Sequence, residues 1–288
     1  MTKTVAILGG DSRQMALVAY LREAGFSVQS YGLPLQDALP SWREAVAAAD
    51  AVVLPLPASP DGRHVHQPMM REQEAPLIAE LFPLLKDDAL LFGGKCSPQI
   101  KEMAEKTGRT VLDYFENEEF QLKNAELTAE GAISILMRES DCSIRNYPVL
   151  ITGYGRIARA LSRLLVAMGA RVTVIARKRD AVLAANASGA TGVLLNGTDA
   201  LKHALKGQAA VINTVPHWLF DANVLKSAEQ GCLMIDLASA PGGFDGDAAS
   251  TLGIKVIWAL SLPGKYAPRS AGEIIGETLI DMMREVEK

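Results

Sequence analysis

Gly153, Gly155 and Ala158 stand in the order G-x-G-x-x-A within "ITGYGRIARAL". In such a turn the first glycine permits a sharp bend and the second lets a pyrophosphate approach the backbone. The small third residue keeps the following helix close to its strand, and that helix directs its first amides at the phosphates. Tyr154, Arg156 and Ile157 fill the turn between these positions and complete the candidate cofactor contacts. A site for NAD usually places an acid about 20 residues further on, where it holds a ribose hydroxyl. Here "VTVIARKRD" places Arg177, Lys178 and Arg179 at that point. A carboxylate would repel a 2′-phosphate, whereas a guanidinium binds it through two parallel hydrogen bonds. The expected cofactor is therefore NADP(H). Further on, "VINTVPHWLF" and "CLMIDLAS" end two more apolar runs. Thr214, Val215 and Pro216 from the first, with Leu237 and Ala238 from the second, are expected beside the nicotinamide ribose. Asp236 is a cap for nearby backbone groups or a ligand, and His217 can serve as a base or be a packed polar residue.

The N-terminal half carries candidates for a carboxylate ligand. "LPLPASPDG" holds Ser59 in a proline-rich loop, and "FGGKCSP" offers Lys95 and Ser97 at a helix start. "NAELTAEGAI" places Asn124 and Thr128 inside an otherwise apolar helix, where both are poor helix formers. "GKYAPRSAGEII" adds Arg269 and Ser270. "GGDSRQ" suits either a small anion or a tight turn. His64 and His66 have the spacing of a metal pair but lack a third ligand, so no metal is expected. Cys96 has no evident base and reads as a packed thiol.

The elements that must position these residues alternate between strand and helix signals. Strands are expected at "TVAILGG", "SVQSYG", "AVVLPLP", "ALLFGGK" and "TVLDY", with helices at 12–24, 42–49, 75–85 and 98–107. A long helical segment over 116–139, broken at Gly131, precedes a second series. Its strands are expected near 148–152, 171–176, 193–195, 209–214, 232–237 and 254–258, and a helix over 271–286 closes the chain. This alternation predicts an α/β protein of two Rossmann-like, doubly wound parallel-sheet domains joined by long helices, with an interdomain cleft. The expected boundaries are 1–123 for a substrate domain of flavodoxin or Rossmann type, 124–144 for a connecting helix and 145–270 for the NADP-binding domain. The C-terminal segment 271–288 is expected to pack back on the first domain.

A chain of 288 residues is long enough for two such cores. The net charge of −4 argues against nucleic-acid affinity, so the basic strand end must serve a local purpose. Cys96, Cys142 and Cys232 are too far apart and too few for a disulfide framework. No apolar run approaches the ~20 residues that span a bilayer. A cytoplasmic protein that forms a homo-oligomer is the expectation, without membrane or nucleic-acid partners.

Taken in order, "GGDSRQ", "LPLPASPDG", "FGGKCSP", "NAELTAEGAI", "ITGYGRIARAL", "INTVP", "IDLAS" and "LPGKYAPRSAGEII" resemble the dipicolinate synthase A subunits of spore-forming bacteria. The resemblance runs through almost the whole chain. It implies an NADP-dependent dehydrogenase that oxidises dihydrodipicolinate, or its hydrated precursor from the lysine pathway, to dipicolinate in the mother cell during sporulation. It also implies a partner, the flavoprotein-like B subunit. On this reading Ser59, Lys95, Ser97 and Arg269 hold the two carboxylates, with Ser270 beside them and Asn124 and Thr128 lining the cleft. Lys95 and His217 are the candidates for the proton acceptor. The alternatives are a related dehydrogenase of shikimate or methylenetetrahydrofolate type, and a non-catalytic NADP-binding regulatory subunit.

Overall fold

A computed structural model describes residues 2–286. The last two residues of the predicted segment 271–288 lie outside the described residues. The chain forms two compact units. The first comprises the residues up to Asn124 together with those from Pro263 onward, and the second runs Ala125–Leu262. Both are α/β, each built on a parallel sheet flanked by helices.

The first unit runs β1 (Thr4–Leu8), α1 (Ser12–Glu23), β2 (Ser27–Tyr31), α2 (Trp42–Ala48), β3 (Ala51–Val53), α3 (Ile78–Leu81), β4 (Leu90–Gly93), α4 (Pro98–Lys106) and β5 (Val111–Asp113). Its strands lie in the order β2-β1-β3-β4-β5, all parallel, so the order reverses between β1 and β3. Loops at such a switch point leave a crevice at the carboxyl ends of the strands. The strands are apolar on both faces, as a sheet covered on both sides requires; Val5, Ala6, Ile7 and Leu8 are all fully buried. The helix expected over 75–85 is shorter. Only Ile78–Leu81 is α-helical, and it tightens into a 3-10 turn at Phe82–Leu84. Pro76 and Pro83 each lack the amide that a longer helix needs.

The long helix α5 (Glu118–Glu139) is continuous through Gly131. The expected break does not occur: a glycine costs a helix only ~1 kcal/mol relative to alanine. Burial of Ala129, Ala132, Ile133 and Leu136 along one face outweighs that cost. The second unit continues with β6 (Pro148–Thr152), α6 (Arg156–Ala167), β7 (Arg171–Ala176), α7 (Arg179–Ala187), β8 (Thr191–Leu194), α8 (Thr198–Leu205), β9 (Ala210–Asn213), α9 (Ala222–Leu225), β10 (Leu233–Asp236), α10 (Gly246–Thr251) and β11 (Val256–Trp258). The sheet order is β11-β10-β9-β6-β7-β8, all parallel. Numbered from its own first strand this is 6-5-4-1-2-3, the order of a dinucleotide-binding Rossmann domain.

After a short helix, α11 (Leu262–Tyr266), the C-terminal helix α12 (Pro268–Val286) packs on α1. Gly272 and Gly276, four apart, allow this. A Cβ on Gly272 would lie 2.6 Å from the Ala16 Cβ, and one on Gly276 would enter the Tyr20 ring.

Candidate functional site

The turn after β6 assigns its two glycines different tasks. Gly153 has φ +85°, and a Cβ there would lie 2.9 Å from both Thr214 Oγ1 and Val215 Cγ2. It is needed for the fold of the turn itself. Gly155 has an extended φ of −78°, and a Cβ there would meet nothing within 4 Å. Its bare α-carbon therefore faces open space at the N-terminus of α6. That helix has no side-chain cap and no acid in its first turn, so no side chain claims its first amides. Ala158 is fully buried, as close helix–strand packing demands. The expected contacts Tyr154 and Ile157 are half-buried and Arg156 is exposed. Tyr154 is fixed by a 3.1 Å hydrogen bond with Ser188 and by the Arg159 guanidinium 5.5 Å above its ring. The open space over Gly155 and the unclaimed amides fit a pyrophosphate.

Arg177 follows β7 directly, and Lys178 caps α7, whose first residue is Arg179. All three side chains are exposed. Among the described residues none of the three makes a side-chain hydrogen bond or ion pair. Three free cations with only Asp180 in the same helical turn leave an uncompensated positive field at this strand end.

A buried network braces the other carboxyl ends. Thr152 donates to Asn213 Oδ1, and Asn213 Nδ2 donates to Asp236 Oδ1 at 2.8 Å. All three residues are fully buried. Asp236 also accepts from the amides of Ala238 at 3.0 Å and Gly243 at 2.7 Å. It is a brace, as one of the two readings of the sequence held. Asn213 was expected beside the nicotinamide ribose with the rest of "NTVP"; its bracing role, and Thr152, were not anticipated, and "INT" and "LIT" at the ends of apolar strands were the available signal. The network positions Thr214, whose hydroxyl donates to the Thr152 carbonyl at 2.7 Å, together with Val215, and the buried pair Leu237 and Ala238. Pro216 and His217 are exposed on the loop beyond.

In the first unit, loops after β1, β3 and β4 are stitched side by side through main-chain bonds. Gly10 donates to His66 O at 2.8 Å, His66 to Ala58 O at 2.9 Å, and Ala58 to Gly94 O at 2.7 Å. "GGDSRQ" is a capped turn. Asp11 and Gln14 form a capping box, and the buried Arg13 grips the Asp11 carboxylate with Nε at 2.9 Å and Nη2 at 2.8 Å. Burial pushes the Asp11 pKa up, but the Arg13 hydrogen bonds and charge outweigh it and hold the group below its ordinary value. These charges satisfy each other, which removes the case for a free anion there.

The "FGGKCSP" loop is held by Asp113, a residue that sequence reasoning missed. Its carboxylate accepts from the amides of Lys95 at 2.9 Å, Cys96 at 2.7 Å and Phe115 at 2.9 Å. Lys95 sits at φ +53°, in the left-handed region that a lysine rarely adopts, with its side chain exposed. Burial, reinforced by Asp113, pushes the Cys96 thiol up to about 12, so it is a packed thiol and not a nucleophile. Ser97 caps α4 by accepting from the Ile100 amide at 3.4 Å.

The Ser59 hydroxyl donates to Asp61 Oδ1 at 2.9 Å. Arg269 pairs with Glu273 at 2.9 Å while 88% of its side chain remains exposed. Ser270 is exposed beside it. Asn124 is half-buried and Thr128 is buried, and both already have partners. His64 pairs with Asp61, not with His66.

Residues 4–115 match the model of the N-terminal domain of the dipicolinate synthase A subunit. The dipicolinate synthase A subunit of Bacillus subtilis (strain 168) is 29% identical over 292 residues, spanning 98% of this chain and 96% of that one. The crystal structure of the same Bacillus subtilis protein superposes with a TM-score of 0.86 at 26% identity, over 100% of this chain and 97% of that one. The D-lactate dehydrogenase of Escherichia coli shares the fold alone, with a TM-score of 0.65 at 13% identity over 99% of this chain and 97% of that one. With its first domain matched and nearly its whole length aligned in sequence and in three dimensions, the chain is similar throughout to the dipicolinate synthase A subunits.

Proposed function

We propose that the chain is an NADP-dependent dehydrogenase that oxidises dihydrodipicolinate to dipicolinate. The observation that carries the cofactor half is the end of β7: three basic side chains, unpaired among the described residues, stand where an NAD site has its acid. Gly155 leaves room for the pyrophosphate and the α6 amides bind it. Arg177 takes the 2′-phosphate in a bidentate pair, and Lys178 and Arg179 add to its field. Thr214, Val215, Pro216, Leu237 and Ala238 line the nicotinamide ribose. The nicotinamide, when bound, supplies the hydride acceptor.

The substrate half rests on the family and on the first unit. Lys95, held on its bent backbone by Asp113, extends a free ammonium toward a carboxylate, and Ser97 lies at the adjacent helix start. Oxidation removes a hydride from one ring carbon and a proton from its neighbour, leaving an aromatic ring. The protein has to align that ring and accept the proton. Similarity to the A subunit of Bacillus subtilis supports a physiological partnership with a B subunit. The test is turnover: purified chain, alone and with its partner, receives NADP⁺ and freshly generated dihydrodipicolinate. The expected result is NADPH formation matched mole for mole by a pyridine dicarboxylate. NADPH formed on a shikimate-like or folate substrate instead would replace this reading.

A further inference from the structure

The loop after β3 folds around one carboxylate. Asp61 accepts from Ser59 Oγ at 2.9 Å, from the amides of Arg63 and His64 at 2.8 Å each, and its Oδ2 lies 2.7 Å from His64 Nδ1. A carboxylate at Nδ1 holds the imidazole in the tautomer that carries its proton there, and leaves Nε2 with a lone pair. This is the second partner of a general base, arranged before any substrate arrives. These bonds hold the Asp61 carboxyl well below its usual range, the His64 hydrogen bond foremost, so it stays an anion.

His64 lines a pocket of about 330 Å³ within the first unit, at the carboxyl edge of the sheet. Its other polar walls are His66, Gln67, Arg71 and Asp61 itself, whose carboxylate is taken up by Ser59, His64 and the two amides. Arg71 uses Nε for the Pro68 carbonyl at 3.3 Å, and among the described residues its outer guanidinium nitrogens have no partner. His66 is half-buried, and burial lowers its pKa, so the neutral ring offers one N–H to a ligand. Asp11 and Arg13 are the other charged groups that face it. Gln67 is buried and ties the loop down through its amide nitrogen, 2.7 Å from the Met70 carbonyl. The pocket therefore joins a free guanidinium and a neutral N–H donor to a pre-set imidazole base.

We propose that this pocket receives one carboxylate of the substrate on Arg71 and His66, and that His64, positioned by Asp61, accepts the proton released when the ring is oxidised. The C–H bond beside the hydride-donating carbon breaks, its electron pair becomes the new ring double bond, and the proton passes to His64 Nε2. The C–H bond of the neighbouring carbon breaks with its own electron pair, which leaves as the hydride that a bound pyridine nucleotide would accept. The inference rests on the dehydrogenase reading above.

Two measurements on the full chain test it. Calorimetric titration with dipicolinate is expected to show affinity reduced about tenfold or more in Arg71→Ala and within about twofold of wild type in His64→Ala. Turnover with dihydrodipicolinate and NADP⁺ is expected to fall about a hundredfold in His64→Ala, in kcat and not in KM, and to recover partly with added imidazole. Asp61→Asn should fall as well, without rescue, because it holds the wrong tautomer. Wild-type turnover in His64→Ala, or unchanged dipicolinate affinity in Arg71→Ala, overturns the pocket assignment while leaving the dehydrogenase reading intact. Arg71-dependent dipicolinate binding by a wild-type chain that never reduces NADP⁺ would retain the carboxylate site and overturn the dehydrogenase reading and the proton-acceptor role together.

Discussion

The carboxyl edges of the two sheets are built on opposite plans. In the second unit the edge proposed for the nucleotide is mostly backbone: a bare Gly155, the first amides of α6, and a strand end whose three cations have no partner among the described residues. In the first unit the same edge is a dense set of side-chain bonds, with Arg13 on Asp11, Ser59 and His64 on Asp61, and three amides on Asp113. A phosphate-bearing ligand of fixed shape can be held by geometry that any chain makes from glycine and a helix start. A small dicarboxylate needs charges set at particular distances, and those charges must be held by others.

The largest expected effect separates the two glycines of the turn. Gly155→Val should weaken nucleotide binding more than about a hundredfold while leaving Tm unchanged, because its side chain fills ligand space and meets no protein atom. Gly153→Val should lower Tm as well, since it collides with Thr214 and Val215 at a positive φ. Equal Tm losses in the two would erase the distinction. Next come the two buried carboxylates. Asp236→Ala strands one of the two Asn213 Nδ2 hydrogens, the other still bonded to the Val215 carbonyl, and two amides in a dry site, and should cost ~3 kcal/mol in denaturant unfolding. Asp113→Ala should cost less, ~1–2 kcal/mol, because the loop that it holds is partly exposed to water.

Lys95→Gly sharpens the comparison from the other side. It should raise stability by ~1 kcal/mol by relieving the left-handed backbone. Turnover should fall in the same variant, the signature of a residue kept for its side chain. A stabilised variant with full activity would show that Lys95 has no ligand role. The smallest effect belongs to Arg269→Ala, whose exposed pair with Glu273 is worth below ~0.5 kcal/mol.

The difference in plan also explains what was legible in the sequence. The G-x-G-x-x-A turn, the strand that delivers Arg177 and the series of apolar runs follow local rules, and both sheets can be read from them. Asp61, Asp113 and Asn213 work through partners that only the fold reveals: Asp113 reaches back to the amides of Lys95 and Cys96, and Asn213 joins Thr152 to Asp236. Ser59 and Arg269 were attractive by type, and each meets a nearby carboxylate. His64 and His66 suggested a metal pair by spacing, whereas the acid that His64 meets is three residues upstream.

Whether the end of β7 selects the phosphorylated cofactor is decided by one titration. Wild type and Arg177→Asp are each titrated with NADP⁺ and NAD⁺. Wild type is expected to prefer NADP⁺, and the substitution to weaken NADP⁺ about thirtyfold or more while NAD⁺ changes less than about threefold. Similar losses for both nucleotides, or a wild-type preference for NAD⁺, would contradict that selection.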